Sequence, residues 1–123
     1  MTQDDGAALV RRYFAAAVAD DLDVFEDLFA PDYVNHRPDG GENRGPAGMK
    51  EFIRGVLERF PGLAVDVQDL FADGDKVAAR ITLRGASAST GTAMDITEIQ
   101  LYRIADGKIA ERWYAVDRSG LPR

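Results

Sequence analysis

Apolar residues recur every three or four positions in the first half of the chain, a spacing that predicts amphipathic helices. The predicted helices cover residues 7–19, Leu22 to Phe29, and about Ala47 to Phe60. Pro31 is expected to end the second helix and Pro61-Gly62 the third, because proline disfavours helical backbone in the residue before it. Residues 32–36 are predicted to be extended, and the Gly- and Pro-rich residues 37–48 to form an exposed loop.

The second half of the chain alternates between apolar and polar residues, which is typical of strands with one buried face. The predicted strands cover Leu63 to Ala72, Lys76 to Arg84, Ala93 to Ile104, and Lys108 to Asp117. Asp73-Gly74-Asp75 and Asp106-Gly107 are predicted to be hairpin turns. Helices followed by an antiparallel meander predict one α+β domain over residues 1–123, with the helices on one face of a curved sheet and a pocket between them.

Composition narrows the possible functions of this domain. The chain has 123 residues, and 46% of them are hydrophobic, enough to form a core. The net charge of −6 argues against nucleic acid and against a polybasic membrane contact. The chain has no cysteine and one histidine, which excludes disulfides, thiolate chemistry and a multi-histidine metal cluster. No apolar run approaches the ~20 residues that span a bilayer, so a cytoplasmic protein is expected.

Four segments together resemble one known family, the SnoaL-like polyketide cyclases of the nuclear-transport-factor-2-like superfamily. They are FAPDYVNH (29–36), RGPAGMKEFI (44–53), RFPGLAVDVQDLFADGDKVAARITLRG (59–85), and LYRIADGKIAERWYAVD (101–117). The resemblance implies a cone-shaped fold in which three helices close over a strongly bent antiparallel or mixed sheet. It also implies a homodimer formed through the outer face of the sheet, and acid/base chemistry without a cofactor or metal.

The resemblance gives Asp117 a catalytic role, because characterised cyclases use an aspartate at the end of the last long strand for an intramolecular aldol closure. Strict alternation places Ile109, Trp113 and Asp117 on one face of that strand, and the resemblance implies that this face lines the cavity. Desolvation beside Trp113 is then expected to raise the pKa of Asp117 into a range useful for acid/base catalysis. The alternative is a solvated strand-end aspartate that caps the residues after it.

Glu98 stands where those cyclases carry an assisting histidine. It shares a strand face with Gln100 and Tyr102, and an inward Glu98 would share the cavity and one proton with Asp117. The equally open alternative pairs Glu98 with an inward arginine such as Arg80.

A second group of candidates comes from the first half of the chain. His36 is a candidate proton shuttle or substrate hydrogen-bond donor, and the alternative is a histidine bonded to a loop carbonyl. Tyr33 and Asn35 lie close to His36 in sequence and are further candidates for substrate contact. Phe14 is a candidate for the apolar cavity wall, and Trp113 and Arg80 complete the predicted binding residues.

Three functions follow from these candidates. The first is a cofactor-independent enzyme that acts on a hydrophobic carbonyl compound by ring closure of the polyketide cyclase type. The second is another acid/base reaction in the same cavity, such as enone isomerisation or epoxide hydrolysis. The third is a small-molecule-binding protein without catalysis, because one fold hosts many functions.

Overall fold

The structure is a computed structural model that describes residues 3–120. Residues 1–2 and 121–123 of the predicted domain lie outside the described residues. The helices are α1 (Gln3–Val18), α2 (Phe25–Leu28) and α3 (Gly45–Arg59), with short 3₁₀ turns at Leu22–Val24 and Arg118–Gly120. The strands are β1 (Phe29–His36), β2 (Glu42–Arg44), β3 (Ala64–Asp73), β4 (Lys76–Ala86), β5 (Ala93–Ala105) and β6 (Lys108–Asp117). The predicted α+β class is confirmed.

All six strands form one open sheet in the order β2-β1-β6-β5-β4-β3. Strands β3 to β6 are the predicted antiparallel meander. Strand β1 adds to it in parallel with β6, with Asn35 opposite Arg112, so the sheet is mixed. This parallel pairing matters for function because it brings the end of β1 beside the middle of β6.

The short strand β2 lies inside the segment predicted to be an exposed loop. The chain reverses after β1, where Arg37 N–H donates to the carbonyl of Gly41 at 2.9 Å and Gly40 has a φ of 88°. That turn returns the chain antiparallel to β1 and places Asn43 opposite Asn35. The loop prediction missed β2 because its sequence, ENR, contains no apolar residue that would mark a strand.

The second helix is shorter than predicted, and Pro31 does not end it. The backbone is already extended at Phe29, where φ is −111° and ψ is 140°. Pro31 therefore lies within β1, where the pairing with β6 shifts register between Phe29 and Val34. Proline is tolerated at such an irregularity because no ladder hydrogen bond is required there.

The inner face of the sheet, defined here as the face covered by α1 and α3, carries the core. Aromatic side chains dominate it: the Tyr13 ring meets Phe29 at 5.4 Å and Tyr102 at 6.2 Å between centroids, both edge-on. Phe25 and Phe29 are fully buried. Burying each such side chain contributes about 1.5–3 kcal/mol, so these rings stabilise the end of the molecule that lies beneath the polar groups.

A β-bulge in β6 decides which of its residues face inward. Ile104 pairs with Ile109 but Arg103 pairs with Glu111, so Ala110 is an extra residue on β6. Ile109 is fully buried in the core before the bulge. One inserted residue reverses the alternation, because side chains in a strand repeat every second position. After the bulge, the even-numbered residues of β6 face inward.

Candidate functional site

A cavity of about 90 Å³ lies between α1, α3 and the inner face of the sheet. Its wall is largely apolar and includes the predicted residue Phe14. The other apolar lining residues are Ala17, Val18, Phe52, Ile53, Val56, Leu57, Leu63, Val65, Ile81 and Leu83. The polar lining residues lie together at one end of the cavity, here called the floor. The floor therefore determines what chemistry can occur in the cavity.

The floor brings together polar residues from three elements. Strand β5 contributes Glu98 and Gln100, β6 contributes Arg112 and Tyr114, and α1 contributes Tyr13. Glu98 is 7% exposed, and its Oε1 accepts a hydrogen bond from Gln100 Nε2 at 2.7 Å. Arg112 Nη2 lies 3.7 Å from the same oxygen. Glu98 thus faces inward and meets an arginine, but that arginine is Arg112 and not the predicted Arg80.

Arg112 is held in place by a closed set of hydrogen bonds. Its Nη1 donates to Asn35 Oδ1 at 2.8 Å, and its Nε donates to the Tyr102 hydroxyl at 3.4 Å. Tyr102 in turn donates to Gln100, and Asn35 Nδ2 donates to Asn43 Oδ1 at 3.1 Å. Satisfied networks of this kind fix the geometry of a buried polar group. The guanidinium is therefore positioned before any ligand arrives.

The charge states of the floor follow from burial. Burial raises the pKa of Tyr13, Tyr102 and Tyr114, so all three phenols remain neutral hydrogen-bond donors at neutral pH. Burial acts to lower the pKa of Arg112, but the surrounding tyrosines and Glu98 together raise it well above its usual value. Arg112 is therefore a permanent cation beneath the cavity.

Two hydroxyl groups of the floor are available to a ligand. Neither the Tyr13 nor the Tyr114 hydroxyl makes a hydrogen bond within the part of the chain that the structure describes. The Tyr114 ring lies 4.2 Å from the Arg112 guanidinium carbon, which holds the phenol against the cation. The floor thus combines one carboxylate, one fixed cation and free phenol donors.

Asp117 is not part of this floor. It is exposed at the end of β6, and its Oδ1 accepts hydrogen bonds from the Ser119 backbone at 3.1 Å and the Ser119 hydroxyl at 2.8 Å. These hydrogen bonds lower the pKa of Asp117. The expectations that Asp117 lines the cavity and has a raised pKa are wrong, because the bulge at Ala110 turns Asp117 outward. The structure matches the alternative of a solvated aspartate that caps the following turn.

Trp113 and His36 also lie on the outer face of the sheet. Their rings stack at 5.3 Å with an interplanar angle of 11°. His36 Nε2 lies 2.7 Å from Glu111 Oε2, and Nδ1 lies 3.5 Å from Glu42 Oε2. Neither side chain reaches the cavity, so the predicted placement of both was wrong. The partners of His36 are carboxylates, not the loop carbonyl of the alternative.

The remaining predicted residues, Arg80, Tyr33 and Asn35, do not line the cavity. Arg80 lies on the outer face, where its Nε donates to Asp69 Oδ2 at 2.6 Å, so it does not contact the cavity. Tyr33 is fully buried beneath the cavity lining, and its hydroxyl donates to Met49 Sδ at 3.5 Å. Asn35 acts on the site only through Arg112.

The sequence prediction missed Arg112, Tyr114, Tyr13 and Gln100. Gln100 carried a usable signal, because it shares the buried face of β5 with Glu98, and two polar residues on an apolar face indicate a site. Arg112 and Tyr114 were placed on the wrong face by strict alternation. The adjacent apolar pair Ile109-Ala110 is the only local sign of the bulge.

A second space, called the vestibule, adjoins the cavity and opens outward, with a volume of about 190 Å³. The cavity and the vestibule share Phe52, Val56, Leu83, Glu98 and Tyr114. The vestibule alone is lined by Arg37, Pro38, Asp39, Arg59, Phe60, Met94, Ile96, Val116 and Arg118. A ligand can therefore extend from the floor past Tyr114 to the surface.

Two further features of residues 3–120 bear on function. Within these residues, no group of three histidine, aspartate or glutamate side chains is placed to hold a metal ion. No helix among them is long and apolar enough to cross a membrane.

Comparisons with known proteins agree with the fold. The family model of the SnoaL-like domain matches residues 10–112. IdmH from Streptomyces antibioticus, a candidate polyketide cyclase, is 26% identical with a TM-score of 0.85, over 94% of this chain and 94% of that chain. A candidate SnoaL-like polyketide cyclase from Jannaschia sp. CCS1 is 25% identical with a TM-score of 0.86, over 94% and 87%.

More distant similarity extends only to the fold. An LEH-like epoxide hydrolase from M. tuberculosis is 18% identical with a TM-score of 0.81, over 97% of this chain and 87% of that chain. A search of curated protein sequences found no match.

Proposed function

The chain belongs to the SnoaL-like domain family, and from this premise we propose that it is a cofactor-independent acid/base enzyme acting on a hydrophobic carbonyl compound. The observation that carries the proposal is the floor of the cavity. There a buried carboxylate, Glu98, lies beside a fixed cation, Arg112, and the free hydroxyl of Tyr114. Asp117, the residue first expected to act, has no place in the proposal because it lies outside the cavity.

In the proposed first step, Glu98 removes a proton from the carbon next to the substrate carbonyl. The electrons of the broken C–H bond move into the carbonyl group and give an enolate. Tyr114 donates a hydrogen bond to the developing oxyanion, and the positive charge of Arg112 stabilises it. Donors fixed in advance in a dry site are the main source of such stabilisation.

Ring closure follows when the enolate carbon attacks a second carbonyl of the same molecule and forms a C–C bond. The resulting alkoxide takes back a proton, either from the Glu98 carboxyl group or from a phenol of the floor. The polyketide cyclase names of the two similar structures support this outcome. Isomerisation shares the first step and differs only in the carbon that receives the proton.

Epoxide hydrolysis is not proposed. That reaction is expected to need two carboxylates that flank an arginine and hold a water. Within residues 3–120, the cavity floor holds one carboxylate, Glu98. The similarity to an epoxide hydrolase at 18% identity concerns the fold alone.

The experiment that tests the proposal is proton exchange in D₂O, followed by NMR with a panel of aryl β-diketones. The wild-type protein is expected to accelerate deuterium uptake at the carbon between the carbonyls. Glu98→Gln keeps the shape of the side chain but removes the base. The exchange rate should therefore fall by about 10²–10⁴-fold, the usual contribution of general-base catalysis. The control Glu58→Gln, on the exposed side of α3, should exchange like wild type. Equal exchange by Glu98→Gln and wild type would contradict the proposal.

We also propose that two copies of the chain associate through the outer face of the sheet. Phe71 is 63% exposed, Ile99 52% and Leu101 39%, and all three lie on that face. In the register of the sheet, Leu101 lies opposite Trp113 on β6 and Ala78 on β4, and Ala78 lies opposite Phe71. A continuous apolar row of this kind is typical of a protein–protein contact. The family resemblance also implies a homodimer, which supports a second copy of the chain as the partner.

A further inference from the structure

The mouth of the vestibule is positively charged although the chain as a whole is acidic. Arg37 follows β1, Arg59 ends α3 and Arg118 follows β6, and the three converge on the same opening. Asp39 is the acidic residue among those that line the vestibule alone. The net charge of the chain is −6, so this local excess of arginine differs from the surrounding surface.

Two of these arginines are less engaged than the third, although the charge of Arg118 still acts on Asp39. Arg37 is engaged, with its Nε 3.3 Å from Asp39 Oδ1 and its Nη1 3.0 Å from Asn43 Oδ1. Within residues 3–120, neither Arg59 nor Arg118 forms a salt bridge. The Arg59 guanidinium carbon lies 5.2 Å from the centroid of the Phe60 ring. That contact orients Arg59 but leaves its charge uncompensated.

The size of the cavity determines how a ligand reaches these charges. The cavity holds about 90 Å³, whereas an engineered apolar cavity that binds benzene holds ~150 Å³. An aromatic ring with a carbonyl at Glu98 therefore does not fit within the cavity alone. The ligand must pass Phe52 and Tyr114, which line both spaces, and occupy the vestibule. Its far end then lies among the arginines.

We propose that the ligands of this site are hydrophobic carbonyl compounds that carry a carboxylate at the end remote from the reacting carbonyl, held by Arg59 and Arg118. This inference rests on the proposed function, since it takes the cavity as the place where the carbonyl binds. Guanidinium groups match carboxylates in geometry and bind them through paired hydrogen bonds. The vestibule thus selects an acid over its neutral ester or amide.

The test is a binding titration with two probes that share the phenyl ketone and differ in the charge of the remote group, 5-oxo-5-phenylpentanoate and its N-methylamide. Binding is followed by amide NMR shifts, so no turnover is needed. Wild type is expected to bind the carboxylate about three- to tenfold more tightly than the amide, because exposed ion pairs are weak individually. The preference should shrink when salt is raised from about 0.01 M to about 0.15 M, since the screening length falls from ~30 to ~8 Å.

Variants locate the preference within the molecule. Arg59→Gln and Arg118→Gln should each reduce it, and the double variant should bind both probes equally. Arg54→Gln removes an exposed charge from the same helix outside the vestibule and should leave the preference unchanged. Asp39→Asn should increase it, because the competing carboxylate at the mouth is gone.

Three results would overturn the inference. These are equal binding of the two probes by wild type, a preference that survives in the Arg59→Gln/Arg118→Gln double variant, and no binding of either probe up to its solubility limit. Proton exchange is measured separately in the same samples. A carboxylate preference without exchange would therefore contradict the proposed function and support the anion site.

Discussion

Glu98 and Asp117 are carboxylates on neighbouring strands of one sheet, yet they lie in opposite environments. Asp117 pairs in register with Thr97, and Glu98 pairs with Val116, so a single residue step separates them. Glu98 is 7% exposed and faces the cavity, whereas Asp117 is exposed and binds Ser119. Position along a strand thus says little about function until the face is known, and here a one-residue bulge determines the face.

The two faces of the β5–β6 hairpin differ in the same way. On the inner face, polar groups are buried and joined through Arg112 into one network. On the outer face, Glu111 joins His36 and Arg103 at partly exposed positions beside an apolar row. Removing a member of the inner network should therefore have large effects, and removing a member of the outer one should have small effects.

The largest expected effect follows from Arg112→Met. The change leaves the buried Glu98 carboxylate without its cation, and loss of one partner of a buried pair costs about 3–5 kcal/mol of unfolding free energy. Chemical denaturation measures this loss. The double variant Arg112→Met/Glu98→Gln should recover a large part of it, because no unpaired charge remains. A single variant as stable as wild type would contradict the role given to Arg112.

Tyr114→Phe separates catalysis from stability. The Tyr114 hydroxyl has no partner within residues 3–120, so its removal should change the free energy of unfolding by less than about 0.5 kcal/mol. The rate of enolate formation should fall by about 10²-fold, since an oxyanion donor is lost. Proton exchange and thermal melting measure the two quantities. A rate equal to that of wild type would remove Tyr114 from the mechanism.

Leu101→Asp tests the outer face. Leu101 is 39% exposed at the centre of the apolar row, and a charge there should weaken self-association at least about tenfold, or ~1.4 kcal/mol. Sedimentation equilibrium measures the association. Arg84→Gln, on the same face of β4 but paired with Asp66, is the control. A wild-type protein that is monomeric at high concentration would contradict the proposed dimer.

Glu111→Gln removes a partly exposed ion pair, so it should cost only about 0.5–1 kcal/mol of unfolding free energy at neutral pH. Burial acts to raise the pKa of Glu111, but hydrogen bonds from His36 and Arg103 lower it overall. A carboxylate with a lowered pKa stabilises the fold above its unfolded pKa, and the contribution is lost as pH falls through the folded pKa. The difference between wild type and variant should therefore begin to shrink as pH falls below about 4.3, the ordinary pKa of glutamate, and vanish only below the lowered pKa of Glu111. A difference that grows in acid would contradict this sign.

Much of the fold was predictable, because it depends on periodicities that the sequence carries directly. The alternation of Val77, Ala79 and Ile81 gave β4 its correct inner face, and turn residues gave both hairpins. The parallel pairing of β1 with β6 was not predictable from local pattern, because it joins segments far apart in sequence.

The polar floor of the site was predictable only on β5, the strand whose alternation continues unbroken through Glu98, Gln100 and Tyr102. On β6, the same reasoning failed at Ala110, since an extra residue leaves almost no trace in the sequence. Arg112 was therefore assigned to the outer face. Arg112 is 3% exposed on the inner face. An arginine can be buried there only because Asn35, Glu98 and Tyr102 contact it, and those partners are known only from the fold.

We propose that the chemistry belongs to the inner face, with Glu98 as the base. The most direct test of this proposal is the rate of carbon-bound proton exchange in Glu98→Gln and Asp117→Asn, measured side by side with the same β-diketone. We expect a loss of about 10²-fold or more for Glu98→Gln and a rate close to wild type for Asp117→Asn. A loss in Asp117→Asn with full activity in Glu98→Gln would contradict the proposal.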